Sequence, residues 1–193
     1  MAKNGNTVNI ESSGERYHHG DLRAALVEEG LKRLKDGPAE ALSLREIARN
    51  VGVSATAVYR HFPDKAALLA ALSAEGDELM AVAFEKAMAK EKPGIAAFNA
   101  MGRAYVHFAL KNPSLFRLMM TAGVKPGGSD ESRGRALLVE AIAEMSGGKT
   151  QAVLDVRMMR AWSLVHGLAM LILDGLVPPD AKMIEKVLDA SIL

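Results

Sequence analysis

The residues on which chemistry could rest are few in this chain of 193 residues: five histidines, three tyrosines, one tryptophan and no cysteine. The missing thiols exclude disulfides, thiolate-bound zinc and thiol nucleophiles. His18 and His19 are adjacent, so they do not share a face, and no third ligand lies near them in sequence. No metal is expected. Residues 94–193 carry no nucleophile–base pairing, no glycine-rich phosphate loop and no paired carboxylates on an apolar face. Catalysis has no support there, and no cofactor is implied. What remains is recognition chemistry: hydrogen bonding, stacking and apolar contact.

The densest cluster of such groups runs from Ser43 to Phe62. Ser43-Leu44-Arg45-Glu46 has the pattern of a capping box, in which the Ser43 hydroxyl accepts from the Glu46 amide and the Glu46 carboxylate reaches back. Leu44, Ile47, Ala48 and Val51 supply a buried side, and Gly52 ends the helix. Ser54 is the next N-cap, opening a helix that runs to Phe62. Steeply crossing helices need a small residue at closest approach, a turn residue tolerant of unusual backbone angles, and apolar filling for the wedge. Ala48, Gly52 and the trio Ile47, Val53 and Val58 meet those needs, as in a helix-turn-helix. The second helix would then be free to lie in a major groove. By spacing alone, an αα-corner of an ordinary helical protein fits equally well.

The elements around this cluster also read as helices. One helix begins near Gly20-Asp21, carries Leu22, Leu26, Gly30/Leu31 and Leu34 on one side, and ends at Asp36-Gly37-Pro38. Pro63 opens a fourth helix at its first turn, running to about Lys90. Further helices are expected at 94–111, 114–122, 130–146, 150–174 and 180–191. They are separated by Asn112-Pro113, Lys125-Pro126-Gly127-Gly128, Gly147-Gly148 and Val177-Pro178-Pro179. The expectation is an all-α fold of about nine helices. Residues 1–16 form an arm, 17–65 a three-helix, homeodomain-like helix-turn-helix domain, and 66–193 a helical ligand-binding and dimerisation domain.

Four stretches in order carry a resemblance: Tyr17-His18-His19-Gly20-Asp21-Leu22-Arg23, Ala41 to Ala48, Val51-Gly52-Val53-Ser54, and Val58-Tyr59-Arg60-His61-Phe62-Pro63-Asp64-Lys65 with Ala66-Ala67-Leu68-Leu69 behind it. Over residues 17–70 the chain closely resembles the DNA-binding domain of the TetR family. The resemblance implies double-stranded operator DNA, palindromic because the family binds as a homodimer. It implies phosphate contacts from Tyr59 and Lys65, with Ser43, Arg45 and Ser54 against the same backbone. Base reading falls to Ala55, Thr56, Ala57, Arg60 and His61; Arg60 suits guanine and the alanines suit a thymine methyl. Two alanines leave few polar side chains on that helix, so DNA shape is expected to contribute. Tyr17 or His18 is placed for a phosphate beside the first helix.

The second half is rich in soft apolar bulk. Phe98, Met101, Tyr105, Phe108, Phe116, Met120, Met159, Trp162 and Met170 are the candidates to line a cavity, with Met119 and Met158 beside them. A set of this kind also serves simply as core. Trp162 and His166 stand four apart and share a helix face. With Ala104 to Leu110 and Asn112 to Met119, the run Trp162-Ser163-Leu164-Val165-His166-Gly167 resembles the TetR ligand-domain subclass marked by Trp-x-x-x-His-Gly. The implied effector is a small, largely apolar molecule. His166 serves as its polar anchor or as a core histidine that fixes packing, and Gly167 is expected to admit a neighbouring helix. Val153, Val156, Arg160 and Leu164, with Ile184, Val187, Leu188 and Ser191, are the expected dimer stripes.

Net charge is only +1, and up to Lys65 ten Lys/Arg face nine Asp/Glu. Any DNA binding must come from a locally basic face rather than a global field. Apolar residues make up 49% and charged residues 24%, which a packed domain needs. The polar start Met1–Glu15 lacks the apolar run of a secretion signal. Ala161 to Leu173 is interrupted by Ser163, His166 and Gly167 and is too short to span a bilayer. The expectation is a cytoplasmic protein with no membrane partner.

Overall fold

A computed structural model describes residues 22–121, 132–146 and 150–189. These residues form nine α-helices: α1 (Leu22–Asp36), α2 (Leu44–Val51), α3 (Ala55–Tyr59), α4 (Lys65–Met88), α5 (Ile95–Lys111), α6 (Pro113–Thr121), α7 (Arg133–Ser146), α8 (Gln151–Leu173) and α9 (Ala181–Val187). No strand occurs among them. A 3₁₀ turn at Ala39–Ala41, absent from the sequence reading, bridges α1 to α2. The arm 1–16, Tyr17 to Asp21, the breaks at 125–128 and 147–148, and Ser191 lie outside the described residues.

The first three helices make a small bundle whose corner is set by two backbone devices. Gly52 adopts the left-handed conformation (φ 80°), and the amide of Val53 returns to the carbonyl of Ala48 at 2.9 Å. These bonds satisfy carbonyls that the end of α2 would otherwise leave free. Ser54 then caps α3, its hydroxyl accepting from the Ala57 amide at 3.2 Å. The helix ends at Tyr59, short of the Phe62 the sequence leads one to expect, and five residues cannot persist as a helix alone. It is held by Val58 (0% exposed) and Phe62 (2% exposed), each contributing about 1.5–3 kcal/mol by burial. Arg23 of α1 covers the Phe62 ring at 5.4 Å, a cation–π contact that no spacing rule signals.

Two expected caps differ. Ser43 has the extended backbone of an N-cap, but its hydroxyl makes no cap hydrogen bond. Glu46 is instead drawn to Arg33 of α1, 2.8 Å away, so an interhelical ion pair replaces the reciprocal capping box. Pro63 lies before α4 rather than in its first turn; Asp64 is the cap, accepting from the Ala67 amide at 2.8 Å.

α4 passes from the small bundle into the larger one, meeting α1 at one end and α5, α6 and α7 beyond. α5 packs on α4 and α8, while α7 packs on α4 and α8. Ser132 donates to Asp77 at 2.6 Å and Arg133 bridges Glu78 and Glu85, so polar contacts tie the start of α7 to α4. Ile184 and Leu188 close a second, smaller core against Val106, Leu168 and Ile172. Those two members of the expected dimer stripe are therefore spent inside the protomer. The sequence marks Ala161 to Leu173 as too short to span a bilayer, but α8 is continuous from Gln151. Alone among the described helices it is long and apolar enough to cross a membrane; it packs on α5 and α7.

Glycine takes opposite roles on α4 and α8. A Cβ at Gly76 would meet Met119 Sδ at 2.7 Å and Leu115 Cδ1 at 3.0 Å, so α6 lies tight against α4 there. A Cβ at Gly167 would meet nothing within 4 Å, which corrects the expectation that Gly167 admits a neighbouring helix within the protomer. Gly76→Ala should therefore destabilise by about 1–3 kcal/mol through overpacking. Gly167→Ala should be neutral or stabilising by up to about 1 kcal/mol through helix propensity. Urea unfolding of the two variants measures the contrast; equal midpoints would refute it.

Candidate functional site

Two groups of sequence candidates are brought together separately. The first lies around α3. Thr56, Arg60 and His61 are exposed, Tyr59 is 45% exposed, and Ala55 and Ala57 are half-buried beside them. Burial of Val58 and Phe62 fixes which way this surface faces. Arg45 at the start of α2 is exposed, Ser54 is exposed and Ser43 is half-buried. Arg49, one turn beyond Arg45, was not anticipated. Its side chain is 77% exposed and reaches only Glu46, at 3.8 Å. Its signal was available: two arginines four apart share a helix face.

Lys65 is positioned differently from a free surface lysine. It stands in the first turn of α4, half-buried, and its ammonium donates to the carbonyl of Glu40 at 2.5 Å. The bond ties the 3₁₀ turn to the start of α4, so Lys65 joins the α1–α2 connection to the α3–α4 connection. An ammonium has three donors, and two remain for an anion.

The second group centres on Tyr105, which is buried and ringed by aromatic groups. Phe84 of α4 stacks on it at 6.3 Å, and Phe116 of α6 meets it edge-on at 5.5 Å. Its hydroxyl lies 3.0 Å from His166 Nδ1, and Trp162 sits 5.6 Å from the His166 ring. Burial pushes the Tyr105 phenol up to about 12, a rise that a hydrogen bond from Trp162 partly offsets. Burial likewise lowers the His166 value, so both groups are neutral near pH 7. Four helices thus contribute rings around one neutral hydrogen-bonded pair.

The other members distribute unevenly. Met101, Phe108 and Phe116 are buried; Phe98, Met120, Trp162 and Met170 are half-buried and pack on the same core. Met159 is 51% exposed, because it lies in the first half of α8, where most residues are exposed, although it shares a helix face with His166 and Met170. It does not line an internal cavity of the protomer. No cluster of three metal-binding side chains occurs among the described residues.

A helix-turn-helix corner presenting an exposed short helix, joined by one long helix to an aromatic-cored helical body, is the architecture of a class of DNA-binding transcriptional regulators. Residues 26–72 match the model of bacterial regulatory proteins of the tetR family, and residues 98–192 match that of the tetracyclin repressor-like C-terminal domain. The chain belongs to the TetR family of transcriptional regulators. It is 31% identical over 102 residues to the nucleoid occlusion factor SlmA of Idiomarina loihiensis, covering 53% of this chain and 52% of that one. The chain thus spans about half the length of the curated relatives it matches. A protein of unknown function from Rhodococcus sp. RHA1 is similar in structure, with a TM-score of 0.75, 31% identity, and coverage of 92% and 95% of the two chains. A TetR protein from Acinetobacter baumannii in complex with minocycline shares the fold at a TM-score of 0.59 and 15% identity, with coverage of 88% and 91%.

The ring cluster has a pH consequence. His166 holds its proton less readily when folded than at its ordinary value of 6.5. The unfolded chain therefore binds more protons than the native state just below that value, and stability rises with pH through the window. His166 leaves stability untouched above about pH 6.5 and subtracts from it as pH falls toward the lower native value. In urea unfolding between about pH 5 and about pH 8, His166→Gln should flatten this part of the profile. An unchanged slope would remove His166 as its source.

Proposed function

We propose that the chain is a repressor that binds a palindromic double-stranded operator as a homodimer and is released by a small, largely apolar effector. The observation that carries the DNA reading is the outward surface of α3 and the turn that follows it, with Thr56, Arg60 and His61 exposed above a buried Val58–Phe62 anchor. Arg60, Thr56 and His61, with Ala55 and Ala57, read base edges. Tyr59, Ser54, Ser43, Arg45 and Lys65 hold phosphates. Tyr17 belongs to the same reading, though it lies outside the described residues. Residues 17–65 act as the reading domain and 66–193 as the sensing and dimerising body, in the cytoplasm.

A second copy is supported by the open face of α8. Val153, Val156 and Met159 are exposed apolar residues at helical spacing, and Val187 of α9 is also exposed. A row of this kind is costly in water and suits an isologous two-fold contact. The effector reading rests on the ring cluster. An apolar molecule entering beside Tyr105 would displace Phe84, which belongs to α4, and α4 begins three residues after Phe62. Moving α4 changes the spacing of the two reading helices, and affinity falls toward the non-specific level. The full burial of Phe116 favours a second reading, in which the body dimerises without any effector.

Selection of bound DNA from a random pool, repeated with lipophilic compounds present, tests both readings. On the selected site Arg60→Ala should weaken binding about 5- to 150-fold, the 1–3 kcal/mol of a bidentate base contact. Unchanged affinity would remove Arg60 from base reading. Val156→Glu with Met159→Glu should yield monomers by sedimentation and lose operator binding. A dimer surviving both changes would move the interface off α8.

A further inference from the structure

On the far side of α4 from the ring cluster lies a cleft of about 1400 Å³, walled by α1 and the end of α2 on one side and by the C-terminal half of α4 with α5 on the other. Its floor is apolar, with Leu31, Val51, Ala83 and Ala104 half-buried and Leu79 43% exposed. Both rims are basic. Lys32 and Lys35 stand on α1; Lys86, Lys90 and Lys111 stand opposite, all five exposed. None of these lysines takes part in an ion pair among the described residues. Of the cleft's carboxylates, Glu29 is already engaged by Arg33 and Asn50, and Glu91 by Arg103. Glu28 alone offers an uncommitted negative charge. The cleft therefore carries unbalanced positive charge on two sides of an apolar strip.

Several occupants fit this poorly. The volume exceeds the roughly 300–1,000 Å³ of pockets that enclose a small ligand. An amphiphile with one anionic head would answer one rim and leave the other unmatched. Single-stranded nucleic acid needs stacking platforms, and Phe108 in the lining is buried. A helical peptide with an apolar stripe flanked on both sides by carboxylates answers floor and rims together.

We infer that this cleft is a docking site for an acidic amphipathic segment of a partner protein. The site touches both α1 of the reading bundle and α4–α5 of the body, so its occupant bridges the two and biases their relative orientation. The inference does not rest on the operator reading, because docking is measurable without DNA.

The test uses the full chain and a fluorescein-labelled helical peptide, with leucines at i, i+3, i+4 and i+7 and glutamates flanking them on both sides. A second peptide has the same composition in shuffled order, and sodium dodecanoate serves as a single-headed amphiphile. Anisotropy should show binding of the first peptide, weakened about tenfold by shuffling and about tenfold by K86E with K90E. The neutral pair K86Q and K90Q should give a smaller loss in the same direction, guarding against a folding defect. R45E with R60E, on the α3 side, should leave peptide binding unchanged. Equal binding of the shuffled peptide, loss only in R45E/R60E, or displacement by dodecanoate below its micellar range would each overturn the proposal.

Discussion

One helix has to serve two cores, and that constraint organises the molecule. Leu72 and Gly76 stand one turn apart on α4 and take part in its closest contacts. A Cβ at Gly30 of α1 would meet Leu72 Cδ2 at 2.8 Å, and one at Gly76 would meet Met119 of α6 at 2.7 Å. Along a single face α4 is therefore wedged against the reading bundle and against the body. Packed cores resist continuous deformation, so a displacement of α4 is felt on both sides. Phe84, about two turns beyond Gly76 on the same helix, extends the path to Tyr105.

Much of this was legible in the residues. Gly52 and Ser54 announced their roles because a left-handed turn and an N-cap are local requirements, satisfied within a few residues. The pairing of Trp162 with His166 followed from helix periodicity. Several of the features that differ are decisions between competing partners distant in sequence. Glu46 had a local partner in Ser43 but took Arg33, thirteen residues away, whose guanidinium offers an opposite full charge. Ile184 and Leu188 form an apolar stripe that suits either a partner subunit or the body's own second core, and the body claims them. Met159 and Met170 lie on nearly the same side of α8 and differ in where along it they fall: the second half of α8 is covered by its neighbours and the first half is left exposed.

The near-zero net charge becomes intelligible once the groups are placed. Carboxylates are engaged where helices must be tied: Glu46 to Arg33, Glu29 to Asn50, Asp77 to Ser132, Glu78 and Glu85 to Arg133, Asp174 to Arg117. Acidic side chains are thus drawn into the joints between helices. Arg45, Arg49 and Arg60 are left on the α3 side, and a second basic set lines the cleft behind it. A protein can therefore present two cationic faces without a cationic total.

The joints themselves are of two kinds, and they respond to different conditions. The α7–α4 joint combines exposed ion pairs at Arg133, of the sort that salt screens and that contribute little net stability, with the buried approach of Gly134 to Met80 and Phe84. The α6–α4 joint depends on Met119 and Leu115 against Gly76, an apolar contact indifferent to salt. Salt therefore relaxes only the polar part of the α7 joint and leaves the α6 joint, where separation would expose a packed core, as it is.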